Sequence, residues 1–174
     1  MVKSENKIKF SYNGSGVLDR CSAACTPSLD SSGEGTFWKV TINSLPTGKS
    51  IYLGIIGNLD AGRHSYNDST SYGWMDNSLV WKGGSKESGA SGWTKFVKGE
   101  CLYFHLKENK LTMFSVQKKQ TFAIDIDIDV ATTFDAYIHF NFIGTGTKLT
   151  LEPLDQADYQ AATMISSSNF VTQS

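Results

Sequence analysis

The segment Ile51–Trp93, IYLGIIGNLDAGRHSYNDSTSYGWMDNSLVWKGGSKESGASGW, decides the fold of this 174-residue chain. Its first part, Ile51–Gly57, is almost continuously apolar and β-branched, which predicts a strand buried on both faces at the centre of a sandwich sheet. Polar segments rich in glycine and serine follow, and they hold several aromatic side chains. The segment therefore predicts a scaffold that carries recognition loops.

On both sides of this segment, apolar and polar residues alternate with a period of two. Phe122, Ile124 and Ile126, for example, alternate with polar residues, as a half-buried strand requires. We predict strands at Lys7–Tyr12, Cys21–Ala24, Phe37–Asn43, Ile51–Gly57, Leu79–Lys82, Cys101–Lys107, Leu111–Ser115, Thr121–Val130, Tyr137–Ile143 and Lys148–Glu152. Because no part of the chain before Pro153 has an apolar period of 3.6 residues, the fold class is all-β, an antiparallel β-sandwich with little or no helix.

The length of the chain fits one domain, which at this size buries roughly 70% of the surface that its unfolded chain exposes. We predict a single sandwich domain at residues 1–153 and expect it to be monomeric. Residues 154–174 are polar and predict a partly disordered C-terminal tail, with one weak turn of helix from Asp155.

The charge of the chain argues against several classes of partner. Lysine and arginine total 16 and aspartate and glutamate total 17, so the net charge is -1, and like charges do not form runs. Nucleic acid and anionic membranes are therefore not expected as partners. The first ten residues lack the apolar core of a signal peptide, and no run approaches the ~20 apolar residues that span a bilayer. We therefore expect a cytoplasmic protein.

Catalytic and metal-binding patterns are weak. The aspartates Asp125, Asp127 and Asp129 fall on one face of a predicted strand, which favours a solvated outer face over a calcium site. His105 and His139 lie inside strand patterns, so we expect them to pack in the core or at its rim. The chain has three cysteines and no Cys-x-x-Cys pair, which favours free thiols over a disulfide framework or a zinc site. We expect no enzyme activity and no cofactor.

Aromatic residues in loops are the positive signal for function. Tyr66, Trp81 and Trp93 lie in or beside turn-rich sequence, where such side chains provide large, rigid contact area at low entropic cost. Recognition and packing are both open for these three. Trp38 and Trp74, by contrast, lie in patterns that favour packing. The glycine- and serine-rich segment 83–92 predicts a mobile loop.

A succession of short motifs resembles the SPRY domain family over about Ile8–Pro153. The motifs are Gly35, Trp38 and Val40, then Tyr52-Leu53-Gly54-Ile55, then Tyr72-Gly73-Trp74, then Gly99-Glu100, then Leu102–Leu106 and Leu111–Phe114. This sequence departs from the family pattern at four places. Tyr52 replaces the usual Trp, Glu100 and Lys107 each replace an Asp, and Ser115–Lys118 replaces an Asn-Gly turn.

The resemblance implies a bent β-sandwich without catalytic activity, whose loops at one end bind a protein or peptide. By position, the binding surface would draw on the loop after Tyr12, the loop that holds Tyr66, and the turn after Phe142. The candidate partner-binding residues are Tyr66, Asn67, Asp68, Trp81, Trp93 and Asn141. The alternative is a carbohydrate-binding, lectin-like sandwich that stacks a sugar on Trp81 or Trp93.

Overall fold

Twelve strands form two antiparallel sheets in the residues that the computed structural model describes, which are 7–13, 20–127 and 135–167. The strands are β1 (Ile8–Ser11), β2 (Arg20–Leu29), β3 (Thr36–Ser44), β4 (Ser50–Ile56), β5 (Tyr72–Met75), β6 (Leu79–Lys82), β7 (Ser85–Ser88), β8 (Cys101–Lys107), β9 (Lys110–Ser115), β10 (Gln120–Asp125), β11 (Ala136–Ile143) and β12 (Lys148–Pro153). The first sheet has the strand order β1-β12-β3-β8-β9-β10, and the second has the order β2-β11-β4-β5-β6-β7.

The hydrophobic core lies between the two sheets, because alternate residues of each strand point toward the other sheet. Trp38 and Val40 point inward from the first sheet, and Leu53 and Trp74 point inward from the second. All four are at most 2% exposed, and burial of each such side chain stabilises the fold by roughly 1.5–3 kcal/mol. The all-β sandwich and the packing roles of both tryptophans are confirmed.

Strand β4 is buried on both faces, as its apolar sequence predicts. Its outer face is shaped by Gly73, which lies opposite Gly54 in the pairing of β4 with β5. A Cβ atom at Gly73 would lie 2.8 Å from Cζ of Tyr52 and 2.4 Å from the carbonyl oxygen of Leu53. Glycine at this position therefore leaves the space that the ring of Tyr52 occupies on the outer face.

One segment predicted as a mobile loop is ordered. β7 pairs with β6 through a two-residue turn at Gly83 and Gly84, whose φ angles are 55° and 77°. A pair of glycines with positive φ is typical of tight β-hairpins, and this was the available signal for the strand. The four residues of β7 are all exposed and polar, so no apolar alternation marked them.

The predicted strands Cys101–Lys107 and Leu111–Ser115 are confirmed as β8 and β9, which pair with each other, whereas other boundaries differ from the prediction. β2 has ten residues rather than the predicted four, because it pairs along most of its length with β11. β10 is described only to Asp125, and the predicted end of that strand at Val130 lies outside the described residues, as does Asp129. The three cysteines are free thiols.

The C-terminal segment forms a helix, α1 (Gln156–Ser167), so the prediction of a single weak turn is wrong. The carboxylate of Asp155 accepts a hydrogen bond of 2.8 Å from the backbone N–H of Asp158, which caps the helix N-terminus. The ring of Tyr159 lies 5.2 Å from Phe37 and 5.5 Å from His105 on the outer face of the first sheet. This tertiary contact supplies the stability that the sequence alone did not indicate.

Candidate functional site

A short 3₁₀ turn packs on the outer face of the second sheet. We call residues 64–68 the Tyr66 turn, after the side chain at its centre. The ring of Tyr66 lies 4.8 Å from Trp81 and 6.4 Å from Tyr52, and these rings form a second apolar cluster with Met75. The turn therefore covers the sheet with aromatic side chains that the strand sequences placed on its outer face.

Buried hydrogen bonds hold the Tyr66 turn to strand β11. Asn141 donates from Nδ2 to the Ser65 hydroxyl at 2.8 Å and to the carbonyl oxygen of Arg63 at 3.0 Å. The Ser65 hydroxyl lies 2.9 Å from Nε2 of His139, and Nδ1 of His139 lies 3.1 Å from the carbonyl oxygen of Ala23. The Nδ1–H tautomer satisfies both contacts, with Ser65 donating to Nε2. Burial lowers the pKa of His139 to about 4, so the ring is neutral at physiological pH.

The Ser65–His139 pair has the atoms of a nucleophile and a base, but it lacks access for a substrate and a carboxylate to orient the imidazole. Ser65 is 2% exposed and His139 is 1% exposed, so a substrate cannot reach the hydroxyl in this conformation. The remaining nitrogen of His139 faces the carbonyl oxygen of Ala23 rather than a carboxylate. The pair therefore positions the turn, and its chemistry is that of a structural hydrogen bond.

Two buried polar atoms at this site have no hydrogen-bond partner in the described part of the chain. They are Nε1 of Trp81, a donor, and Oδ1 of Asn141, an acceptor. Trp81 is 8% exposed and Asn141 is fully buried. Because an unpaired buried polar group costs about 1–3 kcal/mol, such atoms are uncommon in folded proteins and point to a ligand or to bound water.

A guanidinium group lies against the exposed side of the Tyr66 turn. Arg20, the first residue of β2, donates from Nη1 to the hydroxyl of Tyr66 and lies 2.6 Å from Nδ1 of His64. The carbon Cζ of Arg20 is 5.7 Å from the centre of the Tyr66 ring, within the range of a cation–π contact. His64 is exposed and Arg20 is partly exposed, so this cluster faces solvent.

The far side of the turn is held by the β6–β7 hairpin and by Asp68. A Cβ atom at Gly84 would lie 2.4 Å from the carbonyl oxygen of Asn67, so the hairpin and the turn approach each other closely. The carboxylate of Asp68 accepts hydrogen bonds from Asn58 and Thr70 at 2.6–2.9 Å. Partial burial opposes ionisation, but these hydrogen bonds prevail and lower the pKa of Asp68.

The structure brings together five of the six predicted contact residues. Asn67 is exposed and Asp68 is partly exposed, whereas Tyr66, Trp81 and Asn141 are buried beneath or beside the turn. For Tyr66 and Trp81 the sequence left recognition and packing open, whereas Asn141 was predicted as a contact and is fully buried. Arg20, Ser65, His139 and Gly84 complete the site and were not predicted. No local sequence signal identifies Arg20 and His139 as contacts of the turn, because tertiary packing brings these residues to the turn from distant parts of the chain.

The prediction that Trp93 contacts a partner is corrected, because Trp93 lies in the core. It is 1% exposed and packs in the core between Phe96 and Phe122, with ring centres at 4.6 and 5.1 Å. Its Nε1 donates to the carbonyl oxygen of Met75 at 2.7 Å. The glycine- and serine-rich sequence before it suggested a surface loop, but the indole turns inward because apolar residues of β10 offer it a buried site.

The loops expected to form the binding surface meet in part at this end of the sandwich. Residues 14–19 of the loop after Tyr12 lie outside the described residues, but Arg20, which follows them, contacts Tyr66. Ile143, the last residue of β11 before the next turn, packs against the aromatic cluster. Tyr12 itself exchanges backbone hydrogen bonds with Gly146 and Thr147 in that turn.

The residues that the structure describes contain no group of three or more histidine, cysteine, aspartate or glutamate side chains arranged to hold a metal ion. They also contain no helix that is both long and apolar enough to span a membrane.

Comparison with known proteins identifies the fold. No protein-family model and no curated protein matches the sequence. Among solved structures, the SPRY domain of human HERC1 has a TM-score of 0.55 at 13% identity, over 82% of this chain and 87% of its own. A second human SPRY domain has a TM-score of 0.53 at 12% identity, over 83% and 90%. Chicken galectin 2 has a TM-score of 0.41 at 9% identity over 65% of this chain and 88% of its own, which is too distant to support an argument. The sandwich described above is therefore the SPRY-domain fold, in a divergent sequence.

Proposed function

We propose that this chain is a non-catalytic interaction domain that binds an extended peptide segment of a protein partner at the Tyr66 turn. The observation that carries the proposal is the pair of unpartnered atoms, Nε1 of Trp81 and Oδ1 of Asn141. A peptide backbone offers a carbonyl acceptor and an N–H donor, which is the complement that these two atoms lack. The resemblance of the sequence motifs to SPRY domains supports the same kind of partner.

Asn67 is exposed and makes the first contact, together with the partly exposed Asp68. Tyr66 and Trp81 lie next to them and are each 8% exposed. Nε1 of Trp81 and Oδ1 of Asn141 are buried, so a partner reaches them through a local opening beside the turn, while Tyr66 keeps its contact with Arg20.

The sugar-binding alternative requires an open aromatic face. Trp93 is 1% exposed and Trp81 is 8% exposed, so neither indole presents a face on which a sugar could stack. The structure thus favours a peptide over a glycan. A glycan array probed with the purified protein is expected to give no signal, and saturable binding of a defined glycan would restore the alternative.

The proposal can be tested with a phage-displayed library of random 12-residue peptides. Selected peptides are synthesised, and their affinities are measured by fluorescence anisotropy for the wild type, Asn67→Trp and Thr121→Trp. Asn67 lies on the Tyr66 turn, and Thr121 is an equally exposed position on the outer face of the first sheet. We expect Asn67→Trp to weaken binding about tenfold or more, since a bulky side chain blocks the surface, and Thr121→Trp to have no effect.

Two outcomes would contradict the proposal. One is that no peptide is enriched on the wild type relative to an unrelated protein. The other is that Asn67→Trp binds the selected peptides as well as the wild type does. Circular dichroism melts of all three proteins control for loss of folding.

A further inference from the structure

We infer that the Tyr66 site recognises an anionic group, a carboxylate or a phosphate, through the guanidinium of Arg20. The inference rests on the proposed function, because it places the anion within the same binding surface. It goes further in naming the chemistry of the ligand that the surface selects.

Among the described residues, Arg20 makes its hydrogen bonds through one nitrogen. Nη1 contacts the Tyr66 hydroxyl and Nδ1 of His64. Within the described ranges, Nε and Nη2 of Arg20 have no hydrogen-bond partner, and no carboxylate forms an ion pair with the guanidinium. The edge formed by Nε and Nη2 is the planar fork that binds the two oxygens of a carboxylate or phosphate.

Contacts with the Tyr66 turn also hold the Arg20 side chain in one orientation. Most surface arginines are mobile, and ordering one on binding costs side-chain entropy. Arg20 is already held by the Tyr66 hydroxyl, by His64 and by the face of the Tyr66 ring at 5.7 Å. Part of the ordering cost is therefore met before a ligand arrives, which is the general basis of tight binding by pre-organised groups.

The carboxylate of the Tyr66 turn does not compete for Arg20. It belongs to Asp68, and its two oxygens accept hydrogen bonds from Asn58 and Thr70. A ligand anion at Arg20 therefore does not have to displace Asp68.

Tyr66 links Arg20 to the rest of the site. It contacts Arg20 through its hydroxyl and Trp81 through its ring. An acidic residue bound to Arg20 therefore brings the peptide to the Tyr66 turn.

The test is a titration followed by nuclear magnetic resonance of the arginine Nε–H groups, with the Arg20 signal assigned from Arg20→Lys. The probes are inorganic phosphate and N-acetyl-aspartate amide, each at constant ionic strength. We expect a saturable shift of the Arg20 signal with at least one probe, and the active probe distinguishes phosphate from carboxylate. No saturable shift with either probe would overturn the inference.

The same residue is tested with the selected peptides. Arg20→Gln is expected to lower the affinity for the selected peptides about tenfold, the usual value of a charge-assisted pair. Arg20→Lys is expected to restore part of this affinity. Lys110→Gln removes an equal charge from an exposed position on strand β9 of the first sheet and serves as the control. Peptides that lack an acidic residue and bind Arg20→Gln normally would overturn the inference and leave the proposed function standing. If no peptide is selected, the proposed function fails, and the titration alone decides the inference.

Discussion

Nε2 of His139 lies 2.9 Å from the hydroxyl of Ser65, although the two residues are 74 positions apart in the sequence. The contact joins the Tyr66 turn to strand β11, and both partners are buried. Asn141 donates to the same hydroxyl, so Ser65 is the centre of a polar network beneath an aromatic surface. The position of the candidate binding turn thus depends on one buried hydroxyl group.

Removal of that hydroxyl is expected to destabilise the protein. Ser65→Ala leaves Nε2 of His139 buried without a partner and removes one of the two acceptors of Asn141. The expected loss in the free energy of unfolding is about 1–3 kcal/mol, measured by urea denaturation. Ser69→Ala changes an exposed serine in the same loop and should have no effect. Equal stability of the two variants would show that the network contributes nothing.

The network also predicts a dependence of stability on pH. Burial lowers the pKa of His139 from its ordinary value of 6.5 to about 4 in the folded state. Below pH 6.5 the unfolded chain therefore binds a proton at His139 before the folded chain does, and this shifts the equilibrium toward unfolding. The free energy of unfolding is therefore at its full value above pH 6.5 as far as His139 is concerned, and it decreases as the pH falls to about 4. The total decrease due to His139 is roughly 3 kcal/mol.

The measurement compares urea denaturation of the wild type and His139→Gln at pH 7 and pH 4.5. Other ionisable groups affect both proteins alike, so the difference between them isolates His139. The wild type should lose more stability on acidification than the variant. An identical loss in both proteins would show that His139 titrates normally in the folded state.

The fold was largely predictable because its signals are local. Alternation within β8 and β10 identifies which face of each strand is buried, and the apolar run of β4 marks a central strand. Strands β5 and β7 were missed, because the four residues of β5 are all buried and those of β7 are all exposed and polar, so neither shows alternation. Helix α1 was underestimated because Tyr159 stabilises it by packing against residues far away in the sequence.

The site was less predictable, since its residues meet through tertiary contacts between the Tyr66 turn and distant strands. Tyr66 and Asn67 were identifiable from turn-rich sequence around an aromatic residue. Arg20 reaches Tyr66 across 46 residues, and His139 reaches Ser65 across 74, so neither contact leaves a local pattern. Trp93 shows the opposite error, because a loop-like flank does not reveal which way an indole points.

The close approach of the β6–β7 hairpin to the Tyr66 turn gives a third prediction. Gly84→Ala should impose backbone strain of about 1 kcal/mol at a φ of 77° and also push against the carbonyl oxygen of Asn67, 2.4 Å from the new Cβ. Gly89→Ala is the matched control, with a φ of 65° and nothing within 4 Å of its Cβ.

Both glycine variants are expected to lose stability, and Gly84→Ala is expected to lose more. Only Gly84→Ala should also lower the affinity for the selected peptides, because it displaces the turn that binds them. Urea denaturation and fluorescence anisotropy separate the two effects. If both variants bind peptide equally, the hairpin does not position the turn.

The two tryptophans of the predicted site give the last prediction, since their indole N–H groups differ. Nε1 of Trp93 donates to the carbonyl oxygen of Met75, whereas Nε1 of Trp81 has no partner among the described residues. A change to phenylalanine removes an indole ring and an N–H at either position. Trp93→Phe should therefore be the less stable variant by about 1 kcal/mol, the net value of a buried hydrogen bond.

Binding should show the reverse order. Trp81→Phe removes the donor that we propose for the partner, so it should weaken the selected peptides about fivefold to tenfold. Trp93→Phe should leave the affinity of the folded protein unchanged, because Trp93 lies in the core. Weaker binding by Trp93→Phe without loss of stability would return Trp93 to the contact surface. Unchanged binding by Trp81→Phe would show that its unpartnered donor is not used by the peptide.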